Sequence, residues 1–356
     1  MGSLPSPPPP TSPEASLSRY RVYTSFCRRE PGPDSNWIEC YSPAENSWDY
    51  VSQIPGVTEN HVLKDFAMAS VGDSVYIIGG RLCRKQQAPS AAGSDDFLQV
   101  NVEIISTVIR YNIGSNQWSA CAPLNLARYD FACTVSDNKI YVAGGQSTLS
   151  SARGTSATEV YDTSLDEWTI LPNMNYLRYK CVGVTWEGKI HVIGGFAERG
   201  DMDKIVPYVD RSSAEVYNIQ SGKWDLVTRM WQLDVPPNQI VALSDRLFSS
   251  GDCLNAWKGH IEAYDGKLNL WYIIDGSQLN ISRTPIQRFF LTMAPVKTHL
   301  YFLSGHRTER SSSSTKVMVH VFDTSATEGR WKSQEPVEDE GEKELCSHCC
   351  VVQLPL

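Results

Sequence analysis

The sequence predicts an all-β fold built from six copies of a four-stranded antiparallel unit. Two landmarks lead to this prediction. One is a Tyr followed seven residues later by a Trp, a pair that recurs along most of the chain. The other is a short apolar segment, upstream of the Tyr, that stops at two glycines. Copies recur roughly every 50 residues, a period typical of solenoids and propellers.

The aromatic pair is carried by segments such as "EVYDTSLDEW" (159–168). Polar turn-forming residues separate the two rings, so we expect Tyr and Trp to face each other on adjacent strands of one hairpin. The pairs are Tyr41 and Trp48, Tyr111 and Trp118, Tyr161 and Trp168, Tyr217 and Trp224, Tyr264 and Trp271, with Phe322 and Trp331 as a more widely spaced sixth copy.

The double glycine ends a segment of bulky apolar residues, as in "KIYVAGG" (139–145) and "KIHVIGG" (189–195). This pattern predicts a buried strand that ends in a turn with unusual backbone dihedrals. A preceding apolar segment and hairpin turn, such as "FACTVSDN" (131–138), supplies another strand. Each unit therefore has four strands, although the fifth and sixth copies have Ser250 and Ser304 in place of the first glycine.

The repeated order of Gly-Gly, Tyr and Trp resembles the Kelch repeat over roughly residues 20–354. The repeats resemble those of plant members of this family. The resemblance implies an all-β, six-bladed Kelch-type β-propeller. The chain begins within a unit at "YRVYTSF" (20–26) and ends at "LCSHCCVVQL" (345–354), which fits a first strand. We therefore expect the C-terminal strand to pair with the N-terminal blade and close the ring. The propeller would span 20–356, after a disordered Pro/Ser-rich tail at 1–19.

Composition argues against several classes of function. A formal net charge of −8 disfavours nucleic acid as a partner. No apolar run has the length of a membrane span, and the N-terminus lacks the apolar region of a secretory signal. The ten cysteines show no repeating metal or disulfide spacing, so we expect reduced thiols in a cytoplasmic or nuclear protein. We expect a monomer without a membrane partner.

Two local segments have competing interpretations. "CSHCC" (346–350) contains potential zinc ligands, but a strand that closes a propeller buries small residues, so we expect no metal and no cofactor there. The acidic run "EPVEDEGEKE" (335–344) is predicted to be a solvated loop.

The candidate site lies where the first strand of each unit begins. Arginine–aromatic pairs recur at this position, and one unit has an aspartate there: Arg128 with Tyr129, Arg178 with Tyr179, Arg288 with Phe289, and Asp65. In a four-stranded meander these positions share a face with long loops at 81–101 and 196–213, around the channel mouth. Arginine suits bidentate carboxylate binding and stacks on aromatic rings.

The resemblance implies that such arginines hold an acidic peptide motif of a protein partner. The alternative interpretation is that they bond backbone carbonyls of neighbouring blades as part of the repeat. The sequence alone leaves both open.

No phosphate-binding loop, zincin motif or nucleophile elbow occurs. The Glu-x-x-x-Asp-x-x-x-His iron triad of plant specifier proteins, which are Kelch enzymes, is incomplete, since Glu30 and Asp34 are followed by Ile38. We therefore expect a protein-interaction scaffold or substrate-recognition adaptor. With about 19 residues before the first strand, too few for an F-box or BTB domain, a link to ubiquitin-dependent turnover would need another subunit. The alternative is an enzyme or small-molecule-binding propeller of specialised metabolism that uses the channel mouth.

Overall fold

The computed structural model describes residues 17–30, 35–87, 97–198, 211–254, 259–275, 288–307, 314–327 and 330–355. Most of its strands belong to six antiparallel sheets, which are the six predicted blades. No helix in this part of the chain is long and apolar enough to cross a membrane. The predicted tail at 1–19 lies outside these ranges except for its last three residues.

Each blade is a meander whose innermost strand lines the central channel, and the order within each blade runs from the channel outward. Blade 1 has β30 (Lys343–Gln353), β1 (Tyr20–Arg28), β2 (Asn36–Ser42) and β3 (Ser47–Gln53). Blade 2 has β5 (Ala67–Val71), β6 (Ser74–Ile78), β9 (Val108–Asn112) and β10 (Gln117–Cys121). Blade 3 has β11 (Ala132–Ser136), β12 (Lys139–Ala143), β13 (Thr158–Asp162) and β14 (Glu167–Leu171).

The second half of the ring repeats this order. Blade 4 has β16 (Val182–Trp186), β17 (Lys189–Ile193), β19 (Ala214–Asn218) and β20 (Lys223–Val227). Blade 5 has β21 (Ile240–Leu243), β22 (Arg246–Ser249), β23 (Ile261–Asp265) and β24 (Leu270–Asp275). Blade 6 has β25 (Arg288–Val296), β26 (His299–Arg307), β27 (Ser314–Asp323) and β28 (Trp331–Ser333).

The remaining strands lie outside the meanders. Three of them, β4 (His61–Lys64), β7 (Arg81–Gln87) and β8 (Phe97–Ile104), form a separate sheet. Two more, β15 (Leu177–Tyr179) and β18 (Phe196–Glu198), pair with each other, and β29 (Val337–Glu340) pairs with β27. The predicted irregular loop at 81–101 is therefore partly a hairpin of β7 and β8.

The two ends of the chain meet in blade 1, as the sequence predicted. Strand β30 pairs antiparallel with β1, from Tyr20 opposite Gln353 to Arg28 opposite Lys343. Around the channel, the inner strands β30, β5, β11, β16, β21 and β25 each contact the next, and β25 contacts β30.

The aromatic pairs lie where the sequence placed them. Tyr161 is directly opposite Trp168, with ring centroids 5.0 Å apart, and the Tyr161 hydroxyl donates to Asp166 in the turn at 2.6 Å. The indole of Trp168 in turn donates to the carbonyl of Ala122, on the connection from blade 2. This aromatic pair therefore fixes the outer hairpin of blade 3 and ties that blade to the preceding one.

The acidic run at 335–344 is only in part the solvated loop that the sequence predicted, since residues 335–338 and Glu340 are exposed but Glu342 is buried. Residues 337–340 form β29, and several carboxylates of the run are ion-paired with basic residues, most of them from distant parts of the chain. The pairs are Glu342 with Arg29 at 3.3 Å, Glu344 with Lys64 at 2.8 Å, and Asp339 with Lys343 at 2.5 Å. Charge neutralisation by these residues allows Glu342 and Lys343 to be buried.

Deletion of residues 345–356 tests the closure of the ring. The deletion removes most of β30, including the buried Cys346, Cys350 and Val352, and it leaves one edge of β1 unpaired. We expect the cooperative thermal unfolding transition, as measured by circular dichroism, to be lost. A transition retained at the wild-type temperature would show that blade 1 does not need its last strand.

Candidate functional site at the channel mouth

A chain of backbone hydrogen bonds surrounds part of the channel mouth. Asp65, Asp130 and Lys180 precede equivalent inner strands, with φ values of 54°, 54° and 53°. The amide of Asp65 donates to the carbonyl of Cys346, that of Asp130 to Asp65, and that of Lys180 to Asp130, at 3.2, 3.1 and 2.8 Å. This left-handed conformation suits Asp better than Lys, and the hydrogen bonds link blades 1 to 4.

A cavity of about 290 Å³ opens at this mouth, lined by residues that include Asp65, Asp130, Lys180, Cys253 and His348. A second cavity of about 420 Å³ is the channel itself, lined by residues of all six inner strands. The described residues contain no group of three or more His, Cys, Asp or Glu arranged to hold a metal ion.

Arg128, predicted to bind a partner, is completely buried in blade 3. Its Nη1 donates to the carbonyls of Gly144 and Ala157 at 3.0 and 2.8 Å, and its Nη2 donates to Glu159 Oε1 at 2.7 Å. Glu159 also accepts from the backbone amide of Asn125 at 2.9 Å. The guanidinium therefore holds the blade and its incoming connection together.

Arg178 repeats this arrangement in blade 4 and is also completely buried. It donates to the carbonyls of Gly194 and Ser213 at 3.0 and 3.2 Å and to Glu215 Oε1 at 3.2 Å. The structure thus corrects the prediction for the two arginines, since neither guanidinium has exposed surface to offer a partner. Their guanidinium groups donate to backbone carbonyls, as in the alternative interpretation. These carbonyls, however, belong to the same blade as the arginine and not to a neighbouring blade.

The backbone carbonyls of the same two arginines accept hydrogen bonds from the neighbouring blade. The amides of Gly80 and Gly145 donate to the carbonyls of Arg128 and Arg178, both at 2.8 Å. A Cβ on the preceding Gly144 would lie 2.7 Å from the carbonyl oxygen of Arg178. The double glycine is therefore required by this close approach between blades as well as by its backbone dihedrals.

Arginine–aromatic stacking does occur at this face, but the arginines come from the end of the second strand of a blade or from the segment that follows it. Arg81 lies 5.0 Å from the ring centroid of Tyr129 and is paired with Asp65 at 2.6 Å. Arg307 lies 5.7 Å from the ring of Phe289.

In blade 4 the ring of Tyr179 stacks on Phe196 at 5.0 Å, and Arg211 lies 5.4 Å from the Phe196 ring. In blade 6, Arg288 and Phe289 are half-buried at the start of β25, and burial lowers the pKa of Arg288. Tyr129, predicted to bind a partner, is buried, whereas Tyr179 and Phe289 are half-buried. The arginines of this face that the sequence prediction missed are Arg81, Arg211 and Arg307.

A signal for the buried arginines was present in the sequence. Glu159 and Glu215 both stand two residues before the Tyr of their unit, and these are the units in which Arg128 and Arg178 occur. In blade 1 the equivalent Glu39 is held by Lys343 instead, whose Nζ is 3.0 and 2.9 Å from the two carboxylate oxygens. In blade 5 the equivalent is Glu262, and burial raises its pKa.

Comparison with known proteins agrees with this architecture. A family described as the Kelch motif matches residues 127–175, which contain blade 3 and its flanking turns. An F-box/kelch-repeat protein of Arabidopsis thaliana is 27% identical over 280 residues, which covers 76% of this chain and 66% of the relative. The chain is therefore similar to Kelch-repeat proteins, and the Kelch motif itself is matched in blade 3.

Two other relatives show how much of such proteins this chain covers. A second Arabidopsis thaliana F-box/kelch-repeat protein is 32% identical over 158 residues, 44% of this chain and 37% of the relative. Kelch-like protein 21 of Danio rerio is 24% identical over 274 residues, 66% of this chain and 39% of the relative. The chain therefore spans between about a third and two thirds of the length of these three relatives.

The electrostatics of the channel mouth centre on Asp130. Burial, reinforced by the nearby Asp65 carboxylate, raises the pKa of Asp130 to about 7, although Lys180 and Arg81 oppose the shift. Burial also lowers the pKa of His348 to about 4. At neutral pH the mouth therefore combines a neutral imidazole with a carboxyl group that is close to its titration point.

Replacement of a buried arginine tests its structural role. Arg178→Ala leaves Glu215 buried without its charged partner, so we expect a loss of about 3–5 kcal/mol in the free energy of unfolding. Urea denaturation measures this loss. Lys189→Ala, at an exposed position of the same blade, is the control and should change the free energy by no more than about 0.5 kcal/mol. Equal and small losses in the free energy of unfolding for the two variants would contradict the structural role of Arg178.

The pH dependence of stability tests Asp130. Its pKa in the folded state lies above the usual value of about 4, so between these pH values the folded protein holds a proton that the unfolded chain has released. The stability that this proton supplies is present in acid and is lost as pH rises through about 7. We expect wild type to lose stability relative to Asp130→Asn between about pH 4 and 7 in urea titrations, and to run parallel to it at higher pH. Asp49→Asn, at an exposed position, should follow wild type, and an identical pH profile for Asp130→Asn would contradict the assignment.

Proposed function

We propose that this propeller is a protein-interaction scaffold or substrate-recognition adaptor that binds a partner protein on the long-loop face. The observation that carries the proposal is the set of loop arginines held over aromatic rings on the long-loop face. Arginine and aromatic side chains are the residues that most often dominate binding energy at protein interfaces. Kelch-repeat relatives that carry F-box or BTB in their names support an adaptor role.

An acidic peptide motif is the partner chemistry that fits this surface. The side chains of Arg81 and Arg307 are 28% and 42% exposed, and each already binds a carboxylate of the chain, that of Asp65 or Glu342. A guanidinium has five N–H donors, so each can bind a further carboxylate. Stacking on Tyr129 and Phe289 holds these groups in place and reduces the entropy lost on binding.

The wider context is part of the same proposal. We place the protein in the cytoplasm or nucleus, with its cysteines reduced, and any role in ubiquitin-dependent turnover would run through another subunit. The described cysteines are all free thiols.

One observation favours a second function, which is binding or conversion of a small molecule at the channel mouth. The cavity of about 290 Å³ contains Asp130, whose pKa lies near 7, and His348. Ionisable groups with shifted pKa values in a cavity are typical of sites that move protons. Loss of small-molecule binding in Asp130→Asn, with protein binding intact, would favour this second function.

Charge reversal on the long-loop face tests the proposed partner surface. Arg81→Glu with Arg211→Glu should abolish capture of a specific protein from native extract, measured by affinity purification and mass spectrometry, because both glutamates would repel an acidic motif. The control is Lys223→Glu with Lys267→Glu, which makes the same charge change in turns on the opposite face. Capture lost equally in both variants, or in neither, would contradict the proposed face.

A further inference from the structure

Two buried thiols lie next to each other where the first and last strands of the ring meet. Cys27 on β1 is completely buried and Cys346 on β30 is 4% exposed. Both side chains belong to the apolar core that blades 1 and 2 share. The thiol of Cys346 is hydrogen-bonded to the sulfur of Cys27. The two sulfurs are therefore close enough to share a proton across the closure of the propeller.

A bulge in β30 explains this contact. The register between β1 and β30 shifts directly after Ser25, which makes Cys346 the extra residue on the β30 side. A bulge interrupts the regular pairing of two strands and re-aims a side chain. It brings Cys346 to Cys27, although the residue directly opposite Cys27 is Glu344. Asn36 then holds the sulfur of Cys346 in place, since its side-chain amide donates to that sulfur at 3.2 Å.

Two buried lysines lie beside the thiols. Lys64 and Lys85 are 8% and 5% exposed, and each interacts electrostatically with Cys27. Lys64 is paired with Glu344 at 2.8 Å. Among the described residues Lys85 has no carboxylate partner and donates to backbone carbonyls at and just after the end of β1. A buried ammonium group needs a counter-charge, and the thiolate of Cys27 is placed to provide it.

The same contacts favour the thiolate form of Cys27 over its thiol form. The hydrogen bond from Cys346 lowers the pKa of Cys27 to about 6, with the help of Lys64 and Lys85 and against the effect of burial. Burial raises the pKa of Cys346, and so does the hydrogen bond with Cys27. One sulfur is therefore a nucleophile at neutral pH, while the other keeps its proton. This division of roles is typical of redox-sensitive pairs that have an attacking and a resolving cysteine.

The cavity at the channel mouth gives a small reagent access to the pair. Cys346 is one of the residues that line this cavity of about 290 Å³. Cys27 lies next to Cys346 and has no exposed surface of its own. A reagent must therefore be small enough to pass from the cavity to a buried sulfur. Hydrogen peroxide meets this condition because it is little larger than a water molecule.

We propose that Cys27 and Cys346 form an oxidation site for hydrogen peroxide, at which a disulfide locks the ring of the propeller. The thiolate of Cys27 attacks one peroxide oxygen, the O–O bond breaks, and the departing hydroxide takes the proton of Cys346. The thiolate of Cys346 then attacks the sulfenic acid formed on Cys27, so that the S–S bond forms and hydroxide leaves. The two sulfurs together supply the two electrons that reduce the peroxide. The product joins β1 to β30 covalently, and the ring can no longer open at its closure.

Disulfide mapping of the full chain tests the site. After native wild type is treated with hydrogen peroxide, digestion without reductant and mass spectrometry should find Cys27 linked to Cys346 as the main disulfide. Cys83→Ser, which removes another buried thiol, is the control and should give the same link. The chain unfolded in urea should show no preference for this pair, because the fold brings the two sulfurs together. Absence of the link in native protein, or an equal yield from unfolded protein, would overturn the proposal.

The rate of oxidation tests the part assigned to the lysines. Lys85→Met should slow formation of the disulfide several-fold, because a smaller fraction of Cys27 is then present as thiolate. Lys189→Met makes the same change at an exposed position of blade 4 and should react at the wild-type rate. Non-reducing gels follow the reaction, since a denatured chain that is closed into a loop over most of its length migrates faster. Equal rates for wild type and Lys85→Met would refute the attack by a thiolate on Cys27.

Discussion

The frame of this propeller depends on a buried arginine, just before an inner strand, that is paired with a glutamate. The side chain of Arg178 is neutralised within blade 4 by Glu215, while its carbonyl receives the amide of Gly145 from blade 3. A buried charge is tolerated only when it is paired and fully hydrogen-bonded. One residue therefore fixes both the inner strand of its blade and the contact with the preceding blade, and Arg128 does the same one blade earlier.

This use of arginine divides the long-loop face into a frame and a surface. The frame consists of buried guanidinium groups whose donors are taken by carbonyls and carboxylates of the chain. The surface consists of loop arginines that lie over aromatic rings and remain partly exposed, such as Arg81 and Arg307. A rigid frame that positions variable loops is the usual basis of binding by such folds. Arginine can therefore serve both as a buried part of the frame and as a partly exposed part of the nearby surface.

Local patterns in the sequence were sufficient to predict the fold. The pairing of Tyr161 with Trp168 and the double glycines follow from short-range turn and strand signals, and these predicted six blades and the closing strand. The roles of the arginines could not be predicted in the same way. Burial of Arg128 and Arg178 is decided by carboxylates 31 and 37 residues further along the chain, and the order of the acidic run is decided by basic residues from other blades, such as Lys64. A repeat motif shows which residue types recur, whereas these distant partners determine whether a side chain is exposed.

A double-mutant cycle on Arg178 and Glu215 is the most direct test of this account. The free energies of unfolding of Arg178→Met, Glu215→Leu and the double variant would be measured by urea denaturation. If Arg178 and Glu215 neutralise each other, each single variant leaves one buried charge unpaired. The loss in free energy of unfolding of the double variant is then smaller than the sum of the two single losses by about 2 kcal/mol or more. Additive losses would show that the two side chains do not depend on each other, and would contradict the central role assigned to the pair.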